Sequence, residues 1–147
     1  MRSSLVLLAA AWLWTWPSVH DLAAQSPGKK SLHAFLAVAK GSKRTTTFSA
    51  DAPRISAFWE SENLGLGDTI GVIWIAEEVG GASPKETEIR RAEYRVFKQE
   101  KVGEFSLSRP AGKTWPVGKY RVELYINGAI ADVVKFTINP GVTIQTH

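Results

Sequence analysis

Beyond residue 24 the chain holds two histidines, His33 and His147, and no cysteine. Serine hydrolase chemistry needs an imidazole oriented beside the nucleophile. His33 is the one base available within the body of the chain, and no serine sits in a nucleophile elbow. The histidine spacing resembles no metal pair, and neighbouring acids add no ligand set. Paired carboxylates are the other catalytic resource. Glu60/Glu62 and Glu77/Glu78 are the candidates, and both read as solvated strand ends. Gly65-Leu66-Gly67 lacks the rest of a phosphate-binding fingerprint. The expectation is a non-enzyme with no catalytic, cofactor-binding or metal residues. The alternative is a hydrolase or metal protein whose site assembles from scattered acids and His33.

Binding chemistry remains. Lys29, Lys30, Lys40, Lys43 and Arg44 fall within residues 25–50, which hold no acid. After residue 50 there are 12 bases against 13 acids, so the basic character is local. A nucleic-acid binder would carry its bases along a groove or helix with aromatics interleaved, and this chain does not. Lys40, Lys43 and Arg44 cluster at one turn. They read either as a solvated turn or as a contact for an anionic envelope polymer or acidic partner. Among the aromatics, Trp59, Trp115 and Tyr125 are candidates for exposure, while Trp74 and Tyr120 belong inside. Trp115, beside Pro116 in a loop, suits sugar stacking if exposed, or covers the end of the core if buried. The site residues of this reading are therefore Lys40, Lys43, Arg44, Trp115 and Tyr125.

The elements that position them are strands. From Pro116 to Ile138, Tyr120, Val122, Leu124 and Ile126 recur at every second residue, with Lys119, Arg121, Glu123 and Tyr125 between them. This is the alternation of a half-buried strand, with Tyr125 on the outer face. Asn127-Gly128 supplies the two positive-φ residues of a tight hairpin turn. Val134, Phe136 and Ile138 give the return strand its buried face. A strict two-residue turn would oppose Glu123 to Asp132 and put Val134 and Phe136 out of phase. One extra residue near Asp132 corrects both, so a β-bulge is predicted there.

Upstream, Leu32, Ala34, Leu36 and Val38 alternate as a first strand, broken at Gly41-Ser42. Thr45 to Phe48 and Ile55 to Trp59 are extended, with Pro53 at an edge or strand switch. Thr69 to Ala76 is apolar on both faces and reads as central or covered. Residues 85–98 carry two signals. Ser83-Pro84-Lys85-Glu86 resembles a helix start, but Ala92, Tyr94 and Val96 alternate, and a strand is expected. Phe105 and Leu107 mark one more strand. Seven or eight short strands make an all-β sandwich over residues 32–139, with a tail at 140–147.

Gly118-Lys119-Tyr120-Arg121-Val122 looks like a tyrosine corner, with Val122 where antibody domains place a cysteine. Trp74 lies in the third long strand, where such domains bury a tryptophan. On these residues the chain, from Thr45 to Ile138, resembles immunoglobulin-like and fibronectin type III-like accessory domains of bacterial secreted proteins. The resemblance implies an antiparallel sandwich, and such folds carry many unrelated functions.

Export is expected. Met1 to Ser4 is a short basic start, Leu5 to Trp14 is an apolar run, and Leu22-Ala23-Ala24 resembles a cleavage site. Ten apolar residues fall short of the ~20 that span a bilayer as a helix. Residues 1–24 therefore read as a signal peptide and 25–31 as a flexible lead-in. Asn63, Asn127 and Asn139 all miss the glycosylation pattern, and cysteine is absent. Both point to a bacterial periplasm or exterior. The expected function is an exported, non-catalytic binding or assembly module for a protein or envelope component.

Overall fold

In a computed structural model the described residues are 28–141. The predicted signal peptide and most of the C-terminal tail lie outside them. Within the described residues eight strands follow in order: β1 Ser31–Ala37, β2 Thr47–Ser49, β3 Arg54–Glu62, β4 Thr69–Glu78, β5 Thr87–Arg95, β6 Val102–Ser108, β7 Gly118–Ile126 and β8 Ala129–Asn139. They form two sheets, one ordered β1-β3-β6 and the other β2-β8-β7-β4-β5. All pairings are antiparallel except that of short β2 with β8. In that larger sheet β4, β7 and β8 take the places of three adjacent strands of an immunoglobulin face, with β5 added beside β4. The fold is an immunoglobulin-like sandwich. The ambiguous segment at 85–98 forms strand β5, because β4 offers a ladder along most of its length.

The β7–β8 hairpin forms as its alternation dictates. Asn127 and Gly128 hold φ of 51° and 81°. Tyr125 pairs with Ile130 and Leu124 with Asp132, which leaves Ala131 as the extra residue of a bulge. Past it Val122 faces Val134 and Tyr120 faces Phe136, so both strands turn their apolar sides inward. Gly118, entering β7, has φ of 154°, and a Cβ there would lie 2.1 Å from the Glu78 carbonyl oxygen. Only glycine permits that crossing.

Trp74 is the centre of the core. It is 1 % exposed, and its ring meets Phe136 edge-on at 6.1 Å. Tyr120 stacks on Phe136 at 5.3 Å, and Phe48 meets it edge-on at 5.8 Å. Val122 is buried in the ladder position opposite Trp74. Val122, at the position where antibody domains place a cysteine, is thus held by ordinary apolar packing. β4 is central, between β5 and β7, which accounts for its two apolar faces.

Two of the three aromatics named as candidates for exposure, Trp59 and Trp115, are buried. Trp59 is 3 % exposed on the inner face of β3, its ring lying where Gly103 has no side chain. Trp115 is 7 % exposed, and its indole N–H donates to the Ala52 carbonyl at 2.7 Å. Its backbone N–H donates to the Ala50 carbonyl at 2.9 Å. Trp115 is therefore a lid on the core and not an exposed stacking ring.

Candidate binding surfaces

The outer face of the five-stranded sheet carries Arg121, Glu123 and Tyr125 from β7. Alternation places them there, opposite Ile75, Ile73 and Gly71 of β4. Arg121 binds Glu123 through Nε at 2.7 Å and Glu77 through a terminal nitrogen at 3.2 Å, and it also pairs with Glu86. Tyr125 donates its hydroxyl to Glu123. Lys135 of β8 reaches Glu77 at 3.5 Å.

The hydrogen bond to Glu123 raises the Arg121 pKa further above its ordinary value. Burial lifts that of Glu123, but the Tyr125 hydroxyl and Arg121 outweigh it and hold the carboxyl below the usual range. The same bond to Glu123 raises that of the Tyr125 phenol. Tyr125 is thus on the outer face as expected, but it is one member of a network. The sequence alone does not bring Glu77, Glu86 and Glu123 together around Arg121. The signal was there in the polar positions of β7, where alternation placed Arg121, Glu123 and Tyr125 together.

Gly71 makes a dip in this face. A Cβ built there would sit 3.5 Å from Tyr125 and 3.8 Å from Glu93, ordinary contact distances. The dip has a volume of about 210 Å3 and is walled by Ile73, Arg91, Glu93 and Tyr125.

The three basic candidates divide. Lys40 and Lys43 are exposed in the turn after β1 and form no ion pair among the described residues. Arg44 lies over the Phe35 ring at 3.8 Å and binds Glu60 at 3.3 Å. Its role is packing as much as charge. Phe35 stacks on Phe58 at 5.5 Å on the outer side of the three-stranded sheet. Between that pair, Val102 and residues 39–42 lies a cavity of about 320 Å3.

His33 is exposed on β1 opposite Glu60. An open cleft of about 730 Å3 brings it together with Glu60, Glu62, Asn63, Glu100 and Lys101. Scattered acids do therefore gather beside His33. Glu60 is also bound to Arg44, and Lys98 lies 3.7 Å from Glu100. Among the described residues no three His, Cys, Asp or Glu side chains are grouped to hold a metal ion. Glu77 and Glu78, the other acid pair, part company: Glu77 joins Arg121, and Glu78 lies 3.4 Å from Lys85.

No protein-family model matches the chain, and no curated protein sequence matches it. Several solved structures are similar in outline. An immunoglobulin-like protein from Pseudomonas aeruginosa is 12 % identical with a TM-score of 0.49, over 76 % of this chain and 93 % of that one. A β-glucosidase from Listeria innocua, solved with laminaribiose, is 12 % identical with a TM-score of 0.49, over 78 % of this chain and 17 % of that one. An alkylpurine DNA glycosylase from Pseudomonas fluorescens, bound to DNA, is 11 % identical with a TM-score of 0.42, over 74 % and 30 %. This chain thus spans less than a third of either enzyme. None of these likenesses bears on what it binds.

Proposed function

We propose that the protein is an exported, non-catalytic binding or assembly module, and that a protein partner meets the outer face of its five-stranded sheet. One observation carries this reading: the face is ordered before any partner arrives. Arg121, Glu123 and Tyr125 hold one another in place along the outer face of β7. Side chains fixed in advance lose little freedom on contact, which favours affinity. Export rests on the composition of residues 1–24. A bacterial envelope is the expected setting.

The test uses Gly71. A Cβ there makes only ordinary contacts, and an arginine built on it would extend over the middle of the face. Gly71→Arg should keep the fold, read by urea unfolding, and should lose the partner that wild type retains from envelope extracts. Equal retention of the same protein by both forms moves the partner to another surface.

Lys40 and Lys43 support a coarser variant, in which the partner is an anionic envelope polymer. Attraction between exposed charges is screened over roughly 8 Å at physiological salt. Retention on an anionic polysaccharide should then fall with added salt and with Lys40→Glu/Lys43→Glu. Indifference to both removes the polymer. The His33 cleft favours a second reading from a different class, a hydrolase using His33 with Glu60, Glu62 or Glu100. Hydrolysis of envelope polysaccharides or esters that His33→Ala abolishes would favour it over the binding module.

A further inference from the structure

We propose that β5 is a self-pairing edge, joining two copies of this chain antiparallel about a two-fold axis at Ala92. Among the described residues β5 is the outermost strand of its sheet, bonded to β4 alone, and spans nine residues, Thr87–Arg95. None of its residues is buried. Such an edge presents a row of backbone N–H and C=O groups to any strand that can approach.

The occupant is set by charge. Opposite β4, Arg91 faces Ile73 and Glu93 faces Gly71 on the outer side, while Arg90, Ala92 and Tyr94 face Trp74, Val72 and Ile70 on the inner side. Ile89 is the extra residue of a bulge and ends the regular ladder. A two-fold antiparallel pair brings residues of the same face together, so its centre falls on one residue. Centred on Arg91, that arginine meets itself. Centred on Glu93, glutamate meets glutamate and Arg91 meets Arg95.

Centred on Ala92, Arg91 of each copy meets Glu93 of the other, and Arg90 meets the Tyr94 ring. Ala92, the smallest residue, sits on the axis. This is the register that pairs five residues, Arg90–Tyr94, with no like charges opposed. Arg91 is already held on the outer face by Glu88, at 2.9 Å and 3.3 Å. Charges on an edge ordinarily keep strands apart. Here their order makes the strand complementary to its own reverse. The joined sheet would carry both copies of the Tyr125 face on one side.

Sedimentation equilibrium of the purified protein over a concentration series reaching the millimolar range tests the pairing. Wild type should show a monomer–dimer equilibrium. Arg91→Glu opposes two glutamates twice, and Glu93→Arg opposes two arginines twice. Each should weaken association roughly tenfold or more. An equal mixture of the two variants should recover the dimer as a heterodimer, and the doubly exchanged Arg91→Glu/Glu93→Arg chain should recover it alone. Both side chains are exposed, so urea unfolding should be near that of wild type. A wild type that stays monomeric throughout overturns the proposal. So does a dimer indifferent to the single variants, which would belong to another surface such as the free edge of β6. Single variants that weaken the dimer without rescue by mixture or exchange also overturn it.

Discussion

Asp132 accepts the backbone N–H of Ala34 at 2.7 Å, across 98 residues of sequence. The contact joins β8 of one sheet to β1 of the other. Its second oxygen accepts the Val133 amide at 2.8 Å. The bulge at Ala131 gives Asp132 this role. It puts Asp132 opposite Leu124, on the inward side, where a regular hairpin would set it against Glu123.

Asp132→Ala should therefore destabilise the fold by about 1–3 kcal/mol, since a half-buried amide loses a charged acceptor. Asp132→Asn keeps an oxygen for Ala34 and should cost less. Urea unfolding gives the energies, and hydrogen exchange at the Ala34 amide gives the location. Unchanged protection of that amide in the alanine variant would mean the contact does not hold the sheets.

The bulge was legible in the sequence because two periodicities conflicted at a known turn. Its use was not, because nothing local to Asp132 points to Ala34. The same division runs through the molecule. Alternation in β7 and β8 predicted the buried faces, since a period of two is a local property. Trp115 was ambiguous because a loop has no period from which burial can be read. Its indole finds Ala52, 63 residues away, only once β3 and β7 have packed. Tyr125 was placed on the right face, but its partner Glu123 became visible as a network only with Glu77 and Glu86 brought in from β4 and the following loop.

The Tyr120 hydroxyl donates to the Pro116 carbonyl at 2.5 Å, which closes the tyrosine corner. Burial pushes its phenol pKa up from 10.0 to about 12. Tyr120→Phe leaves the carbonyl without this donor and should cost about 1–2 kcal/mol, seen as a lower urea midpoint with the same slope. The raised pKa adds a second readout. Above the unfolded value the unfolded phenol ionises first, so wild type loses stability as pH rises from 10 towards 12. Tyr120→Phe lacks that loss at this position, so the gap between the two should narrow over that range. A variant as stable as wild type at neutral pH would place the hydroxyl in water.

Asp68 ties three separate segments. Its Oδ1 accepts from Asn127 Nδ2 at 2.8 Å and Lys30 Nζ at 2.7 Å, and its Oδ2 accepts the Gly65 amide at 2.7 Å. Asn127 in turn accepts the Thr69 amide at 2.9 Å, so the hairpin turn is fastened to the start of β4. The bond from Asn127, followed by those from Lys30 and Gly65, lowers the carboxyl pKa from 3.8 to about 2. A carboxyl lowered on folding stabilises the fold above its unfolded pKa, and that contribution disappears as pH falls through the folded value. At neutral pH, Asp68→Asn should cost on the order of 2 kcal/mol. The difference from wild type should shrink between pH 4 and pH 2, because protonation removes from wild type the same charge that the substitution removes. Urea unfolding across that range measures it. A gap that stays constant down to pH 2 would mean that the charge of Asp68 contributes nothing and that the loss came from shape alone.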